Sequence, residues 1–242
     1  DFSIDINDYM NLEGDIIFAN PNNPTGLTVP VADIEKLVRK NPNRMVIVDE
    51  AYADYSTESC IGLATKYPNL VVVRTFSKSR NMAGTHIGFA IASKDIVSDM
   101  NKIKFSFNPF NLNSVTMAAG IAAVKDTDYL KECVNTIIKN RKWFTRELEN
   151  IGFDVIPSKA NFVFCYHKNV ESEELCRKLK EEGILTRHFA DERLKKYLRI
   201  TIGTRQEMIA VVIAIKEILL EKAGVDGETE SFDLRLSKCV GA

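Results

Sequence analysis

Three apolar runs of this sequence end in polar residues whose types could act together in chemistry. The runs and the residues that follow them are 15–20 with Asn23, 45–49 with Asp49 and Tyr52, and 70–74 with Thr75, Ser77 and Lys78. Ligands bind beyond the carboxyl ends of strands in open parallel sheets. Polar residues at three consecutive strand ends therefore imply one shared site, where a single such residue would mean little.

Lys78 is the candidate nucleophile of this set. A lysine that is partly desolvated at the mouth of an apolar strand loses proton affinity and becomes a usable amine. Asp49 ends a Val-Ile-Val run, where a carboxylate needs a cationic partner to offset the cost of burial. Thr75 and Ser77 offer hydroxyls to a phosphate group. A lysine Schiff base, an acidic partner for a ring nitrogen and a phosphate cradle are what pyridoxal phosphate needs.

The elements that must position these residues follow from the hydrophobic pattern. Continuous Val/Ile runs, with a fourth run at 87–92, predict strands that are covered on both faces. A helix is predicted between the first two runs, with Pro30 in its first turn and Asn41 at its end. Helices between strands indicate parallel crossovers, so residues 1–112 are predicted to form part of a mostly parallel α/β sheet domain.

The pattern changes after this domain. Residues 113–150 are predicted as connecting helices, and 151–223 as a smaller C-terminal α+β domain. The predicted elements are helices at 113–125, 127–151, 171–182 and 205–223, and strands at 161–166, 184–189 and 197–202. Residues 224–242 read as a polar tail with little pattern.

Composition excludes several classes of function. The sequence has 32 basic and 33 acidic side chains, so no charge excess points to nucleic acid or an anionic membrane. The sequence contains no apolar run of about 18 or more residues, so no transmembrane helix is predicted, and no signal-peptide pattern is visible. Five widely spaced cysteines without a C-x-x-C pair argue against a metal site and for a reducing cytoplasm.

Four segments in order resemble the motifs of fold-type I aminotransferases, most of all the histidinol-phosphate aminotransferase family. They are residues 20–26 (NPNNPTG), 48–52 (VDEAY), 74–78 (RTFSK) and 198–203 (LRITIG), and residues 160–162 (ANF) and 183–187 (GILTR) resemble that family's small domain. The resemblance covers residues 1–222. It implies the fold of type I pyridoxal-phosphate transferases, pyridoxal 5′-phosphate as cofactor, an amino donor and a 2-oxo acid as substrates, and a homodimer.

The resemblance also implies a role for individual residues. Lys78 would hold the cofactor as a Schiff base and then shuttle a proton, and Asp49 would pair with the pyridinium nitrogen. The other implied cofactor ligands are Asn23 and Tyr52 at the ring's phenolic oxygen, Ala51 against a ring face, and Thr75 and Ser77 at the phosphate. Arg199 would clamp the substrate carboxylate through its guanidinium fork, with Arg187 facing the substrate beside it. The peptide bond before Pro24 would be cis.

Two departures from the family pattern affect these expectations. The family has an arginine eight residues after the Schiff-base lysine, at the cofactor phosphate, where this sequence has His86. Histidine cannot donate as a fork, so weaker cofactor binding is expected, offset in part by Arg80. Family members also carry roughly a hundred residues before the position of Asp1, so the chain is expected to be an N-terminally incomplete member.

The predicted reaction is transfer of an amino group from L-histidinol phosphate to 2-oxoglutarate in histidine biosynthesis. One alternative is another amino-acid aminotransferase of the same subgroup, for example for aromatic substrates. Threonine-phosphate decarboxylase shares the fold and ranks lower. The alternative from a different class is a scaffold that folds or associates without turnover.

Overall fold

A computed structural model describes residues 2–11 and 13–222 of the chain. The chain divides into two compact units, Asp1–Asn135 and Thr136–Ala242. The division lies within one long helix, and the three predicted segments 1–112, 113–150 and 151–223 stay a prediction. The predicted polar tail, 224–242, lies outside the described residues.

The N-terminal unit is built on a four-stranded sheet in the order β1-β2-β3-β4. Strands β1, β2 and β3 run parallel, and β4 pairs antiparallel with β3. Its elements are β1 (Ile16–Ala19), α1 (Val31–Lys40), β2 (Val46–Asp49), α2 (Ile61–Ala64), β3 (Leu70–Thr75), β4 (Gly88–Ile91), α3 (Lys94–Phe107), α4 (Ser114–Lys125) and the start of α5 (Thr127–Asn150).

An apolar core fixes the three parallel strands against α1. The fully buried side chains of α1 lie at i, i+3 and i+4, which is the spacing of one helical face, and they are Ile34, Leu37 and Val38. They pack in one cluster with alternate residues of β2 and β3, among them Val46 and Leu70. Each such side chain contributes about 1.5–3 kcal/mol by leaving water. This core fixes where the three strands end, and therefore where the polar residues beyond them lie.

Two features of this unit differ from the sequence-based expectation. The run at 87–92 forms a strand, but it is antiparallel, because the connection from β3 is short and contains only a 3-10 turn at Ala83–Thr85. Helix α3 was not predicted. Ser93 caps it by accepting a hydrogen bond from the Ile96 amide, and none of its residues is buried in the part of the chain that the structure describes.

The C-terminal unit is an antiparallel sheet in the order β5-β6-β8-β7 with helices packed on one face. Its core cluster joins Phe144 and Leu148 of α5 with Leu198 of β8 and Ile215 of α7. Strand β5 was not predicted, and β7 is much shorter than the run at 184–189. The elements after α5 are β5 (Phe153–Ile156), β6 (Phe162–His167), α6 (Ser172–Glu181), β7 (Arg187–His188), β8 (Leu198–Thr201) and α7 (Arg205–Lys222).

None of the described helices is long and apolar enough to cross a membrane. Among residues 2–11 and 13–222, no group of three or more His, Cys, Asp or Glu side chains could hold a metal ion.

Candidate active site

The segment after β1 is a tightly hydrogen-bonded turn. The buried Asn20 side chain accepts from the Val29 amide at 2.8 Å and donates to the Val29 carbonyl at 3.1 Å. Asn22 donates to the Thr25 hydroxyl at 2.9 Å. The peptide bond between Asn23 and Pro24 is cis, which confirms that prediction, and the bond between Asn20 and Pro21 is cis as well. The turn holds the Asn23 side chain at the surface, just past the strand.

Asp49 lies at the end of β2, directly beside the end of β1. Its Cα is paired with Ala19 on one side and with Val73 on the other. The Oδ1 atom of Asp49 accepts a hydrogen bond from the Ala51 amide at 2.9 Å, which fixes the rotamer of this half-buried carboxylate. The register of the sheet therefore places a carboxylate between the loop after β1 and the loop after β3.

Residues from all three loops come together around Tyr52. The Asn23 amide group donates to the Tyr52 hydroxyl at 3.5 Å. The Nζ atom of Lys78 lies over the Tyr52 ring, 5.6 Å from its centroid. Lys78 is half-buried, as expected for a lysine at the mouth of an apolar strand. The structure thus brings together an amine, an amide and a phenol from segments far apart in sequence.

Thr75 and Ser77 form a small hydroxyl cluster in front of Lys78. The Thr75 hydroxyl donates to the Ser77 hydroxyl at 3.0 Å and accepts from the Ser77 amide at 3.1 Å. Both side chains are half-buried at the end of β3. Two hydroxyls that already share a hydrogen bond can turn outward together toward a phosphate, since a hydroxyl both donates and accepts.

A charged network behind this loop was missed by the sequence analysis. The Arg74 guanidinium donates to Glu50 at 3.2 Å and to Asp54 at 2.7 Å. The second oxygen of Asp54 accepts from the Ser79 hydroxyl. Glu50 also accepts from the amide of Cys60, whose thiol pKa is raised to about 12 by burial and, next, by the charge of Glu50. The Glu of VDEAY and the Arg of RTFSK were the only signals that could have pointed to this network.

Two further residues expected near the cofactor phosphate, His86 and Arg80, differ in their surroundings. His86 is exposed, and its backbone has a left-handed φ of 53° at the end of the 3-10 turn. Arg80 donates to the carbonyl of Ala123 in α4, and its guanidinium lies 5.4 Å from the Phe76 ring centroid. Arg80 is therefore engaged at the end of α4, and this geometry does not support the expected compensation for His86.

In the C-terminal unit, two guanidinium groups share a face of the sheet with aromatic rings. Arg187 and Arg199 are paired across β7 and β8, so their side chains lie on the same side. The guanidinium carbon of Arg199 lies 5.2 Å from the Phe162 ring centroid, and both arginines lie within 6.0 Å of the Phe189 centroid. Leu198 and Ile200 of the same strand point into the core instead. This face can offer two fork-shaped donors to an anion.

The groups of the N-terminal unit fit pyridoxal phosphate. Lys78 supplies a primary amine, and Asp49 supplies a carboxylate that is already oriented by a backbone amide. Asn23 and Tyr52 supply a hydrogen-bonded amide and phenol, and the loop after β3 supplies two hydroxyls. A carbonyl, a pyridinium nitrogen, a phenolic oxygen and a phosphate are the four groups of that cofactor for which these side chains are suited.

The sequence model of aminotransferase class I and II matches residues 1–215. The chain belongs to this family. This confirms the predicted family, and similar solved structures confirm the predicted fold type.

The histidinol-phosphate aminotransferase of Clostridium acetobutylicum has a TM-score of 0.82 at 29% identity, over 89% of this chain and 67% of that one. The Sinorhizobium meliloti enzyme in complex with pyridoxal-5′-phosphate has a TM-score of 0.76 at 27% identity, over 85% of this chain and 57% of that one. The family match and this complex both support pyridoxal 5′-phosphate, the predicted cofactor.

Curated relatives carry a more specific name. A histidinol-phosphate aminotransferase of Clostridium botulinum (strain 657 / Type Ba4) is 45% identical over 219 residues, which are 90% of this chain and 62% of that protein. One from Brachyspira hyodysenteriae is 46% identical over 220 residues, with the same two coverages. The chain thus spans about three fifths of the length of these relatives.

Proposed function

We propose that this chain carries the cofactor-holding centre of a pyridoxal-phosphate-dependent aminotransferase, with Lys78 as the residue that binds the cofactor covalently. The observation that carries the proposal is the convergence of three strand ends, where the Tyr52 side chain touches Asn23 and lies beneath the Lys78 amine. The reaction we propose is transfer of an amino group from L-histidinol phosphate to 2-oxoglutarate (EC 2.6.1.9). Its support is the name shared by relatives at 45–46% identity.

The cofactor, when bound, supplies an electron sink for the charge that develops at the substrate α-carbon. The amine of Lys78 would attach it and, once released, would move a proton to or from that carbon as a general base and acid. Asp49 would hold the ring nitrogen protonated, since its carboxylate ends a largely buried strand. Tyr52 and Asn23 would donate to the ring's phenolic oxygen, and Ala51 would pack against the ring.

Binding of the phosphate group falls to the loop after β3 in this proposal. Thr75 and Ser77 would donate their hydroxyls, and His86 would stand where the family has an arginine. An imidazole cannot donate as a fork, so it is a weaker phosphate ligand than a guanidinium. We therefore expect His86→Arg to bind pyridoxal phosphate more tightly than the wild type, measured by fluorescence titration. An unchanged dissociation constant would contradict the role of His86.

The substrate would be recognised by the cationic face of the C-terminal sheet. Arg199 would clamp the substrate carboxylate or phosphate end as a two-pronged donor, with Arg187 beside it. The aromatic rings under both guanidiniums restrict their rotamers, which lowers the entropic cost of binding an anion. Arg199→Lys should raise KM for an anionic amino donor, because lysine keeps the positive charge but cannot form the fork.

A covalent labelling experiment tests the central role of Lys78. The purified chain is incubated with pyridoxal phosphate, and its visible absorption is recorded at about 420 nm. The sample is then reduced with borohydride, and its peptides are analysed by mass spectrometry. The wild type and the control Lys36→Ala, at an exposed lysine of α1, should show the band and a modified peptide at Lys78. Lys78→Ala should lose both. A band that persists in Lys78→Ala would refute the assignment.

A substrate panel with glutamate as donor then separates the remaining alternatives. Preference for imidazole acetol phosphate over aromatic 2-oxo acids supports the proposed reaction, and the reverse preference supports an aromatic aminotransferase. Binding of cofactor without any turnover supports the scaffold alternative.

We also propose a cytoplasmic homodimer. The exposed apolar side chains of α3 and α4 support self-association, which sedimentation analysis would detect.

A further inference from the structure

The loop that carries Lys78 is tied to the segment that carries Tyr52 by a buried charged network. Arg74 is the penultimate residue of β3, and Glu50 directly follows β2. Asp54 lies in the 3-10 helix Ala53–Tyr55, for which Tyr52 is the N-terminal cap. Ser79, next to Lys78, is 2% exposed and donates to Asp54. Two segments 25 residues apart in sequence are therefore joined directly at the candidate site.

Each carboxylate of this network needs several hydrogen-bond donors to offset its loss of hydration. The side chains of Arg74, Glu50 and Asp54 are 15%, 1% and 25% exposed. One guanidinium is shared by two carboxylates, so each carboxylate needs further donors to offset its loss of water. Glu50 has them in the Ser59 hydroxyl at 2.6 Å and the Cys60 amide at 2.5 Å. For Asp54, the Ser79 hydroxyl is the second donor among the described residues.

This arrangement gives Ser79 and Asp54 a role beyond folding. A side chain that is locked by supporting hydrogen bonds holds its neighbours in one geometry, which precise chemistry requires. We propose that Asp54 and Ser79 are positioning residues that hold Lys78 in register with Tyr52. They act through the backbone of the loop and through Arg74, without contacting the cofactor. The part of this inference that concerns reactivity rests on the proposed function of Lys78, whereas the part that concerns loop geometry does not.

Hydrogen exchange of the chain without cofactor tests the geometry. In Ser79→Ala the Arg74–Asp54 pair is retained and only the link to the loop is removed. We expect amides of residues 76–82 to exchange about tenfold faster, the effect of losing one charge-assisted hydrogen bond. The matched control is Glu35→Gln, a carboxylate of the same unit that accepts from Lys66 and Tyr67 instead. It should leave residues 76–82 unchanged.

A double-mutant cycle shows whether Asp54 and Ser79 act as one unit. If they do, Ser79→Ala should add little to the exchange rate of the loop in an Asp54→Asn background, since the bond is already weakened. Asp54→Asn keeps the shape of the side chain, so it guards against loss of folding, which circular dichroism would report. Equal exchange of residues 76–82 in the wild type and Ser79→Ala would overturn the proposal, as would fully additive effects.

A second readout addresses Lys78 itself. With pyridoxal phosphate present, Ser79→Ala should slow covalent trapping at Lys78 about tenfold and shift the pH dependence of the visible band, measured at a temperature where circular dichroism shows both proteins folded. Ser79→Thr, which retains the hydroxyl, should restore the wild-type rate. Normal trapping in Ser79→Ala refutes positioning of the amine. Absence of trapping in the wild type refutes the proposed function instead, and hydrogen exchange then still decides the geometry.

Discussion

Helices α7 and α3 are both rich in apolar residues, yet only one of them is buried. In α7 of the C-terminal unit, eight side chains from Met208 to Ile218 are buried around most of the helix. In α3 of the N-terminal unit none is buried among the described residues, and Ile103, Phe105 and Phe107 are 66%, 67% and 92% exposed. Burial is thus decided by the surface that a helix packs against, and apolar content alone does not predict it.

The two units also differ in where their candidate functional residues lie. The C-terminal sheet has one face in the core, and its other face presents Arg187 and Arg199 among aromatic rings. The N-terminal sheet presents its chemistry at strand ends and stabilises it with buried charge pairs. Substitutions in the C-terminal core should therefore change the free energy of unfolding, and substitutions on α3 should change surface properties, self-association included.

The largest expected effect is that of Phe144→Ala. Phe144 is fully buried in the C-terminal core, so the substitution removes its buried area and leaves a cavity. We expect a loss of about 3–5 kcal/mol in the free energy of unfolding. Guanidinium titration followed by Trp143 fluorescence measures it, since Trp143 packs against that core and is the single tryptophan of the sequence.

The matched control makes the same chemical change on α3. Phe107→Ala removes a ring that is 92% exposed in the chain. At concentrations where the chain is monomeric, the variant's free energy of unfolding should differ from that of the wild type by less than about 0.5 kcal/mol. A loss comparable to that of Phe144→Ala would mean that the two regions do not differ as described.

A smaller effect is expected from acid, and it is confined to the C-terminal unit. Burial lowers the pKa of His167 from its ordinary value, against a hydrogen bond at Ile151 that raises it. Below an unfolded-state pKa of about 6.5, the folded unit binds fewer protons than the unfolded chain, so stability falls as pH drops from about 7 to 5. His167→Asn keeps an acceptor for the Asn169 amide and should flatten this dependence, measured by Trp143 fluorescence. If His167→Asn loses stability between about pH 7 and 5 as steeply as the wild type, another group causes the dependence.

The smallest effect on stability is expected for polar substitutions on α3. At concentrations where the chain is monomeric, Ile103→Ser combined with Phe107→Ser should leave the melting temperature nearly unchanged, because neither side chain is packed in the chain. Binding of an apolar fluorescent dye should fall, since such dyes report exposed apolar surface. Lys102→Ala on the same helix should leave dye binding unchanged. A large drop in the melting temperature of the double variant would show that α3 is packed against the rest of the chain.

Much of the N-terminal fold could be predicted because its signals are local. The runs that became β1, β2 and β3 are short, apolar and followed by turn residues, and α1 has buried residues at regular helical spacing. The antiparallel direction of β4 could not be read from its residues, since direction depends on the path of the connection. Helix α3 was missed although its sequence carries a helical signal, since Ile96, Met100, Ile103 and Phe107 recur at helical spacing after the capping residue Ser93. What the pattern could not show is that this face is left uncovered in the chain.

The candidate site was predictable to the same extent. The positions of Asn23, Asp49, Tyr52, Thr75, Ser77 and Lys78 after strands were visible in the sequence, and their roles stay predictions. Glu50, Asp54 and Ser79 were not singled out, because acidic and small polar residues lie at the surface by default. Their partners are 9 to 25 residues away, and no spacing rule links them.

The sequence by itself determined the family, the strand ends and the types of reactive group that follow them, because these depend on residues close together in the chain. The tertiary structure alone decided that Arg74 joins Glu50 to Asp54, that Ser79 ties the Lys78 loop to the Tyr52 segment, and which apolar helix faces are covered. The physical reason is that hydrogen bonds and packing act over a few ångströms in space, and the folded chain sets those distances between segments remote in sequence.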